Sequence, residues 1–195
     1  MLIKLDMVNA FDKVNCSFLI KVLLSFGFSP LFVQLINSCI DNPWIAPLVN
    51  GYPSNFFQAR RGIRQGCPLS PFLYILMADS LSRKLTAERI VGSLPGLKPS
   101  LGVDPLNHAL FADDSLLLGG ASTKIAKAFD TVLKIYYRFS GALVNESKSE
   151  IYNWNIDQQE LISISNLLGF RGQAHWDRIK YLGLPIINGA NRRSL

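Results

Sequence analysis

The apolar run from Leu106 to Leu118 would read as one buried strand but for two adjacent carboxylates, Asp113 and Asp114. Burying an uncompensated carboxylate is costly, so the chain must either turn into solvent here or hold a cation. Leu-Asn-His-Ala-Leu-Phe before the pair and Ser-Leu-Leu-Leu after it then become the two arms of a hairpin, with Phe111-Ala112-Asp113-Asp114 at its tip. An Asp-Asp pair at a hairpin turn is common as turn chemistry alone. A third carboxylate in similar surroundings adds weight. Near the N-terminus, Leu2-Ile3-Lys4-Leu5-Asp6 places Asp6 at the end of a short apolar strand, and Ala10-Phe11-Asp12 follows.

A chain of 195 residues, 49% of them hydrophobic, suits one domain with a substantial core. Mean hydropathy is +0.21, high for a soluble domain. Even so, the apolar residues come in short bursts, none near the roughly 18 residues that span a bilayer, and no membrane association is expected. The surplus points instead to surface that another part normally covers. Lys4, Asp6 and Asp12 break up the first residues, so no secretory signal is visible. Cys16, Cys39 and Cys67 are widely spaced and odd in number, which fits neither a disulfide framework nor a zinc site and favours a reducing, intracellular setting. His108 and His175 read as structural. A formal charge of +6 favours an acidic partner such as nucleic acid. The basic residues gather at Arg60, Arg61 and Arg64, at Arg83 and Lys84, and at Arg192 and Arg193.

Along the chain, Phe18, Leu19, Val22, Leu23 and Phe26 recur at helical spacing before Gly27. Ser29-Pro30 starts a second helix, with Phe32, Leu35, Ile36 and Cys39 as its expected buried stripe. Trp44 to Val49 and Asn55 to Ala59 read as strands joined around Asn50-Gly51-Tyr52-Pro53. A basic loop, residues 60–69, leads to a helix from Ser70-Pro71 through Ile75, Leu76, Ala78, Leu81 and Leu85, and residues 92–105 form a surface loop. A helix from Thr123 to Ser140 is capped by Ser122 and closed by Gly141. Lys148 lies on a polar turn before a strand, Glu150 to Trp154. Asp157 and Glu160 open a further helix as a capping box, and Gly169 ends it. Tyr181 to Ile186 is a last strand or hairpin. The fold class expected is α+β, an antiparallel sheet with helices packed on one face.

Three aspartates at strand ends converge if the Asp6 strand neighbours the Asp113-Asp114 hairpin. Carboxylates without His or Cys suit hard cations such as magnesium, and a pair of such ions can clamp both oxygens of an in-line phosphoryl displacement. Arg64, near the amides of Gly62 and Gly66, would suit a triphosphate, and Lys148 a departing pyrophosphate. These residues point to nucleotidyl transfer on a nucleic-acid template. Each also has a plainer reading: Phe11, Tyr181 and Leu182 as core, Gln65 as an ordinary loop residue, Lys148 as a solvated lysine.

The motifs Asp6-Met7-Val8-Asn9-Ala10-Phe11-Asp12, Arg64-Gln65-Gly66-Cys67-Pro68-Leu69-Ser70-Pro71, Phe111-Ala112-Asp113-Asp114, Ser140-Gly141-Ala142-Leu143-Val144-Asn145 with Lys148, and Tyr181-Leu182-Gly183 occur in that order. Together they resemble the successive palm motifs of a reverse transcriptase of the non-LTR, LINE-like retrotransposon class, plant elements in particular, over nearly the whole chain. The resemblance implies a polymerase palm performing RNA-directed DNA synthesis with two Mg2+ ions, Mn2+ being a possible substitute. It makes Asp6 and Asp113 the main metal ligands and Asp114 the third member of the triad. Phe11 would be the gate that excludes a 2′-hydroxyl. Arg64, Gln65 and Gly66 would bind the incoming nucleotide, Lys148 would act near the pyrophosphate, and Tyr181, Leu182 and Gly183 would grip the primer end. The implied partners are an RNA template, a DNA primer and deoxynucleoside triphosphates, and the implied compartment is the nucleus. Asn9 stands where a lysine is usual in such elements. With Asp6 so near the start, residues 1–195 are expected to be a partial reverse transcriptase domain. Most of the fingers, the thumb and the endonuclease would be missing, either from an excerpt of a longer polyprotein or from a non-catalytic remnant that binds nucleic acid weakly. A small-molecule phosphotransferase is disfavoured, since no glycine-rich phosphate loop ending in Lys-Ser or Lys-Thr is present.

Overall fold

The computed structural model describes residues 1–98 and 100–187; Arg192 and Arg193 lie outside the described residues. In chain order the elements are β1 (Leu2–Asp6), α1 (Cys16–Ser25), α2 (Pro30–Ile40), β2 (Trp44–Ile45), β3 (Leu48–Val49), β4 (Tyr52–Pro53), β5 (Phe57–Gln58) and α3 (Ser70–Val91). There follow β6 (His108–Phe111), β7 (Asp114–Leu118), α4 (Thr123–Ser140), β8 (Glu150–Tyr152), α5 (Gln158–Leu168), β9 (Arg171–Gln173), β10 (Arg178–Tyr181) and β11 (Leu184–Ile187). They fall into two compact units. The first comprises residues 1–6, 85–131 and 144 onward; the second comprises residues 7–84 and 132–143. The expectation of one domain meets this division, whose boundaries cut α3 and α4.

The first unit is built on a five-stranded sheet ordered β6-β7-β1-β8-β9. β1 pairs antiparallel with both β7 and β8, and β6 with β7, as the hairpin reading requires. The last pair, β8 with β9, is parallel, so the wholly antiparallel expectation needs correcting. The cause is local: α5 intervenes between the two strands, and a helical crossover returns the chain in the direction it left. Gly172 on β9 makes room for that helix, because a Cβ there would sit 2.7 Å from Leu161 Cδ1.

Cross-strand partners share a face. Leu2 stands opposite both Leu118 and Tyr152, and Lys4 opposite Leu116 and Glu150. On this face Leu2, Leu116 and Tyr152 pack with Trp176 and with Ile179 of the β10-β11 hairpin. The other face carries Ile3, Leu5, Leu117 and Ile151, all fully buried, as are Phe129 of α4 and Ile164 of α5. Each such side chain contributes about 1.5–3 kcal/mol on burial, which makes β1 the axis of the unit. Asp157 caps α5 by accepting from Gln159 N, and Gly169 closes it in the left-handed conformation. Glu160 departs from the capping-box reading. Its Oε1 accepts from Thr123 N at the start of α4 instead, 2.6 Å away, so it joins two helices rather than closing its own.

In the second unit α1 and α2 pack with the first part of α3 around Leu19, Leu23, Ile36, Leu73 and Met77. Asn15 and Ser29 cap α1 and α2. The buried stripe of α2 is Val33, Ile36 and Ile40; Phe32, Leu35 and Cys39 are exposed, Leu35 by 60%. The expected stripe was thus rotated by about one residue, roughly 100° of helix. On α3 the buried residues are Leu73, Tyr74, Met77 and Leu81, continuing to Leu85, while Ile75 is exposed. The two strands expected between residues 44 and 59 are four two-residue strands, β2 with β5 and, nested inside, β3 with β4. The inner turn is Asn50-Gly51, both at positive φ, as a tight hairpin turn demands.

Candidate active site: an opposed carboxylate pair

Asp6 stands directly opposite Asp114 in the β1-β7 ladder. The Asp6 N–H donates to Ser149 Oγ at 3.1 Å, and its carbonyl accepts from Asn145 N at 2.8 Å. Both main-chain groups therefore point away from β7, which makes Asp6 and Asp114 a non-hydrogen-bonded cross-strand pair. In such a pair the Cα atoms lie about 4.5 Å apart and the side chains are at their closest. Two like charges directly opposite destabilise a sheet. A hard divalent cation between oxygen-only donors relieves that repulsion, and the donor set here fits one.

Asp113 does not share this placement. It is exposed in the β6-β7 turn, beside Ala112, which holds φ 50. A left-handed alanine costs about 1 kcal/mol, strain of the kind that collects at functional turns. Among the described residues no three or more His, Cys, Asp or Glu side chains form a group that could hold a metal ion. The strands bring Asp6 and Asp114 opposite each other, and Asp113 is their neighbour on the turn. Asp113 lies in the turn, outside the β1-β7 ladder, so only Asp114 has Asp6 as its cross-strand partner.

Ser149 is the residue that sequence reasoning missed, and Asn145, quoted there only as the end of a motif, acquires a role beside it. Ser149 is fully buried, and the Asn145 carbonyl accepts from the amides of both Lys148 and Ser149. The resulting turn grips the main chain of Asp6 and leaves Lys148 exposed at its surface. The available signal was the polar run Asn145-Glu146-Ser147-Lys148-Ser149 between two apolar segments.

The β10-β11 hairpin covers the same face of the sheet as the carboxylate pair. Its turn is Leu182-Gly183, with φ 49 and 83. Tyr181 Oη donates to Ala109 O at 3.4 Å, and Lys4 Nζ donates to Lys180 O at 3.3 Å. Burial, and then the charge of Asp114, push the Tyr181 phenol above its ordinary range.

The remaining expected site residues lie in the second unit. Phe11 is half-buried and stacks on Tyr74, ring centroids 5.1 Å apart. Arg64, Gln65 and Gly66 are exposed, with Arg64 Nη2 donating to Cys39 O at 3.5 Å. Two neighbours expected to face phosphate are committed elsewhere. The Gly62 amide donates to Val14 O, and Gly62 must be glycine, since a Cβ would come within 2.7 Å of Asp12 O. Arg61 donates to the carbonyls of Lys13 and Gly141, pinning loops rather than waiting for a ligand. Asn9 holds φ 45, and its carbonyl accepts from the Asp12 and Lys13 amides. Asparagine tolerates that left-handed conformation better than lysine does.

A mixed sheet that opposes two strand-end carboxylates, with helices behind it, defines a polymerase palm. Residues 1–186 match the reverse transcriptase (RNA-dependent DNA polymerase) family, and the chain belongs to that family. It is 30% identical over 146 residues to the retrovirus-related Pol polyprotein from type-1 retrotransposable element R2 of Popillia japonica, covering 75% of this chain and 23% of that protein. It is 34% identical over 109 residues to an uncharacterized mitochondrial protein of Arabidopsis thaliana, covering 54% of this chain and 85% of that protein. The chain therefore spans about a quarter of the retrotransposon polyprotein. In structure it is similar to apo telomerase from Candida tropicalis truncated from its C-terminal domain, with a TM-score of 0.63 at 16% identity over 95% of this chain and 33% of that one. The likeness to Candida albicans telomerase has a TM-score of 0.62 at 14% identity, covering 95% of this chain and 29% of that one. These relatives bear out the palm fold and the retroelement resemblance. No helix among the described residues is long and apolar enough to cross a membrane.

Proposed function

We propose that this chain is the palm-centred part of an RNA-directed DNA polymerase of a non-LTR retroelement, working with two divalent ions, Mg2+ by preference. The observation that carries the reading is the non-hydrogen-bonded pairing of Asp6 with Asp114, an arrangement that is unfavourable without a cation. Asp6 and Asp114 would hold the metal, with Asp113 completing the set once the turn adjusts. Bound there, divalent ions would stabilise the charge that develops during nucleotidyl transfer.

The chain's own groups divide the remaining work. Ser149 and Asn145 fix the Asp6 backbone so that its carboxylate is held ready. Lys148, exposed on the turn they form, supplies positive charge or a proton to the departing pyrophosphate. Arg64, Gln65 and Gly66 bind the incoming nucleotide, Phe11 reads its sugar, and Tyr181, Leu182 and Gly183 position the primer end. Template RNA, primer DNA and deoxynucleoside triphosphates are the partners, and missing fingers, thumb and endonuclease would belong to a longer polyprotein. Three free cysteines suit an intracellular, nuclear setting.

Mn2+ binding followed by electron paramagnetic resonance tests the site without requiring turnover. Binding that Mg2+ displaces, and that Asp6→Asn or Asp114→Asn weakens about a hundredfold or more, beyond the usual cost of losing a supporting group, is the expected result. Mn2+ binding indifferent to both substitutions would leave the non-catalytic remnant as the better reading. Extension of a DNA primer on an RNA template by the purified chain is expected to be short and unprocessive, because positioning is most of what phosphoryl transfer needs.

A further inference from the structure

A second polar site lies at the opposite end of β1 from Asp6. Leu2 pairs with Tyr152, and just beyond Tyr152 a cavity of about 540 Å³ opens. The four-residue separation along β1 puts Leu2 about 13 Å from Asp6, and the cavity lies beyond Leu2's partner. Its walls include Asn153, Trp154, Gln158, His175, Trp176 and Asp177.

Asn153 is the unusual member. It is fully buried, at 0% exposure. Its main chain is satisfied: the amide donates to Gln173 O at 3.2 Å, and the carbonyl accepts from Trp176 Nε1 at 3.0 Å. Its side-chain amide is not, for neither Nδ2 nor Oδ1 has a hydrogen-bond partner. A buried primary amide with both donor and acceptor idle is rare and costly, and Asn153 is among the residues lining a cavity of ligand size. A ligand that satisfies it must present a donor and an acceptor side by side and must draw the buried amide toward the cavity.

Two further features narrow the class. Trp154 and Trp176 meet edge to face with centroids 4.9 Å apart, so the cavity offers aromatic surface for a planar group. No lysine or arginine lines it, and Asp177 does, so a phosphate or carboxylate would be repelled inside. Exposed Arg171 and Arg178 stand just outside the lining in sequence, where a phosphodiester backbone would be attracted.

We propose that the cavity bounded by Asn153, Trp154, His175 and Trp176 is a pocket for one unpaired nucleobase, with its sugar and phosphate left outside. Base edges carry adjacent donors and acceptors, and a primary amide can pair with any of them. Stacking on tryptophan is equally tolerant of base identity. The pocket therefore holds a base without reading sequence strongly. The inference does not depend on the polymerase reading, because it uses none of the carboxylates.

The base could come from a free nucleotide or from single-stranded RNA, and three probes separate these sources. Adenosine monophosphate, an oligoadenylate strand and the same strand lacking bases are titrated into the full chain carrying Trp44→Phe, so that tryptophan emission reports Trp154 and Trp176. Quenching by the oligoadenylate, with the abasic strand binding about tenfold more weakly, is expected. Quenching by the monophosphate as well would identify a free nucleotide as a sufficient ligand. Asn153→Leu should weaken the oligoadenylate about tenfold while leaving the melting temperature unchanged or higher, since it removes an unpartnered polar group. Trp154→Ala should weaken binding similarly. Equal binding of intact and abasic strands, or undiminished binding by a folded Asn153→Leu protein, would overturn the proposal.

Discussion

The two ends of β1 pose opposite electrostatic problems. At one end Asp6 and Asp114 set two like charges against each other; at the other, Asn153 buries an uncharged amide with no partner. Like-charge repulsion at the first would be relieved by a cation. The second costs desolvation and is relieved by a matched donor and acceptor. Between them lie Ile3, Leu5, Leu117 and Ile151, fully buried. This buried apolar segment anchors the strand between the two ends. Ligand sites gather where stability is spent rather than where it is gained.

The largest expected effect comes from breaking the shared scaffold. Leu5→Ala should destabilise the chain by about 4 kcal/mol, through lost transfer energy and a cavity. Chemical denaturation would measure it, and both Mn2+ binding and base binding should decline together. Gly172→Ala should disturb only the amide end. Its new Cβ would crowd Ser165 Oγ and Leu161, costing about 2 kcal/mol, and base binding should fall while Mn2+ affinity holds.

A smaller change of opposite sign is expected at the carboxylate end. In metal-free buffer Asp114→Asn should raise stability by about 0.5 kcal/mol by removing the like-charge contact, and added Mg2+ should erase the advantage by stabilising only the parent. Equal stability with and without Mg2+ in both proteins would break the comparison. The smallest effect concerns Tyr181. Its phenol titrates above the ordinary value of 10.0 because of burial first and Asp114 second. The folded chain therefore keeps that proton longer than the unfolded chain. The associated stability is complete below pH 10 and is lost as pH rises through the folded value. In Asp114→Asn the tyrosinate absorbance assigned by comparison with Tyr181→Phe should appear at lower pH, and the alkaline loss should shrink.

The outer hairpin of the second unit offers a further contrast. Trp44, Leu48, Tyr52 and Phe56 are all exposed there, Tyr52 by 79%. This is part of the apolar surface that mean hydropathy implied, carried on and beside four two-residue strands too short to bury it themselves.

Helix boundaries were legible in the sequence because caps act locally. Ser29, Ser122, Asp157 and Gly169 each satisfy a neighbouring backbone group within a few residues, whatever the rest of the chain does. The motif order was legible too, since chemistry restricts which residue types can serve. What no local signal carried was the choice among faces and registers. The segment Pro30–Ile40 contains more than one helical apolar stripe, and packing selected Val33, Ile36 and Ile40. Glu160 had the right spacing to cap its own helix, yet the approach of α4 drew it to Thr123. Two adjacent aspartates are equivalent in a sequence, and only the β1-β7 register set Asp114 rather than Asp113 opposite Asp6. Asn153 reads as one more polar residue until the parallel return of β9 and the placement of Trp176 bury it. Sequence determined what could cap, turn and carry charge, because those interactions reach a few residues. Tertiary structure decided which carboxylates meet and which amide goes unpartnered, because those outcomes depend on strands far apart in the chain.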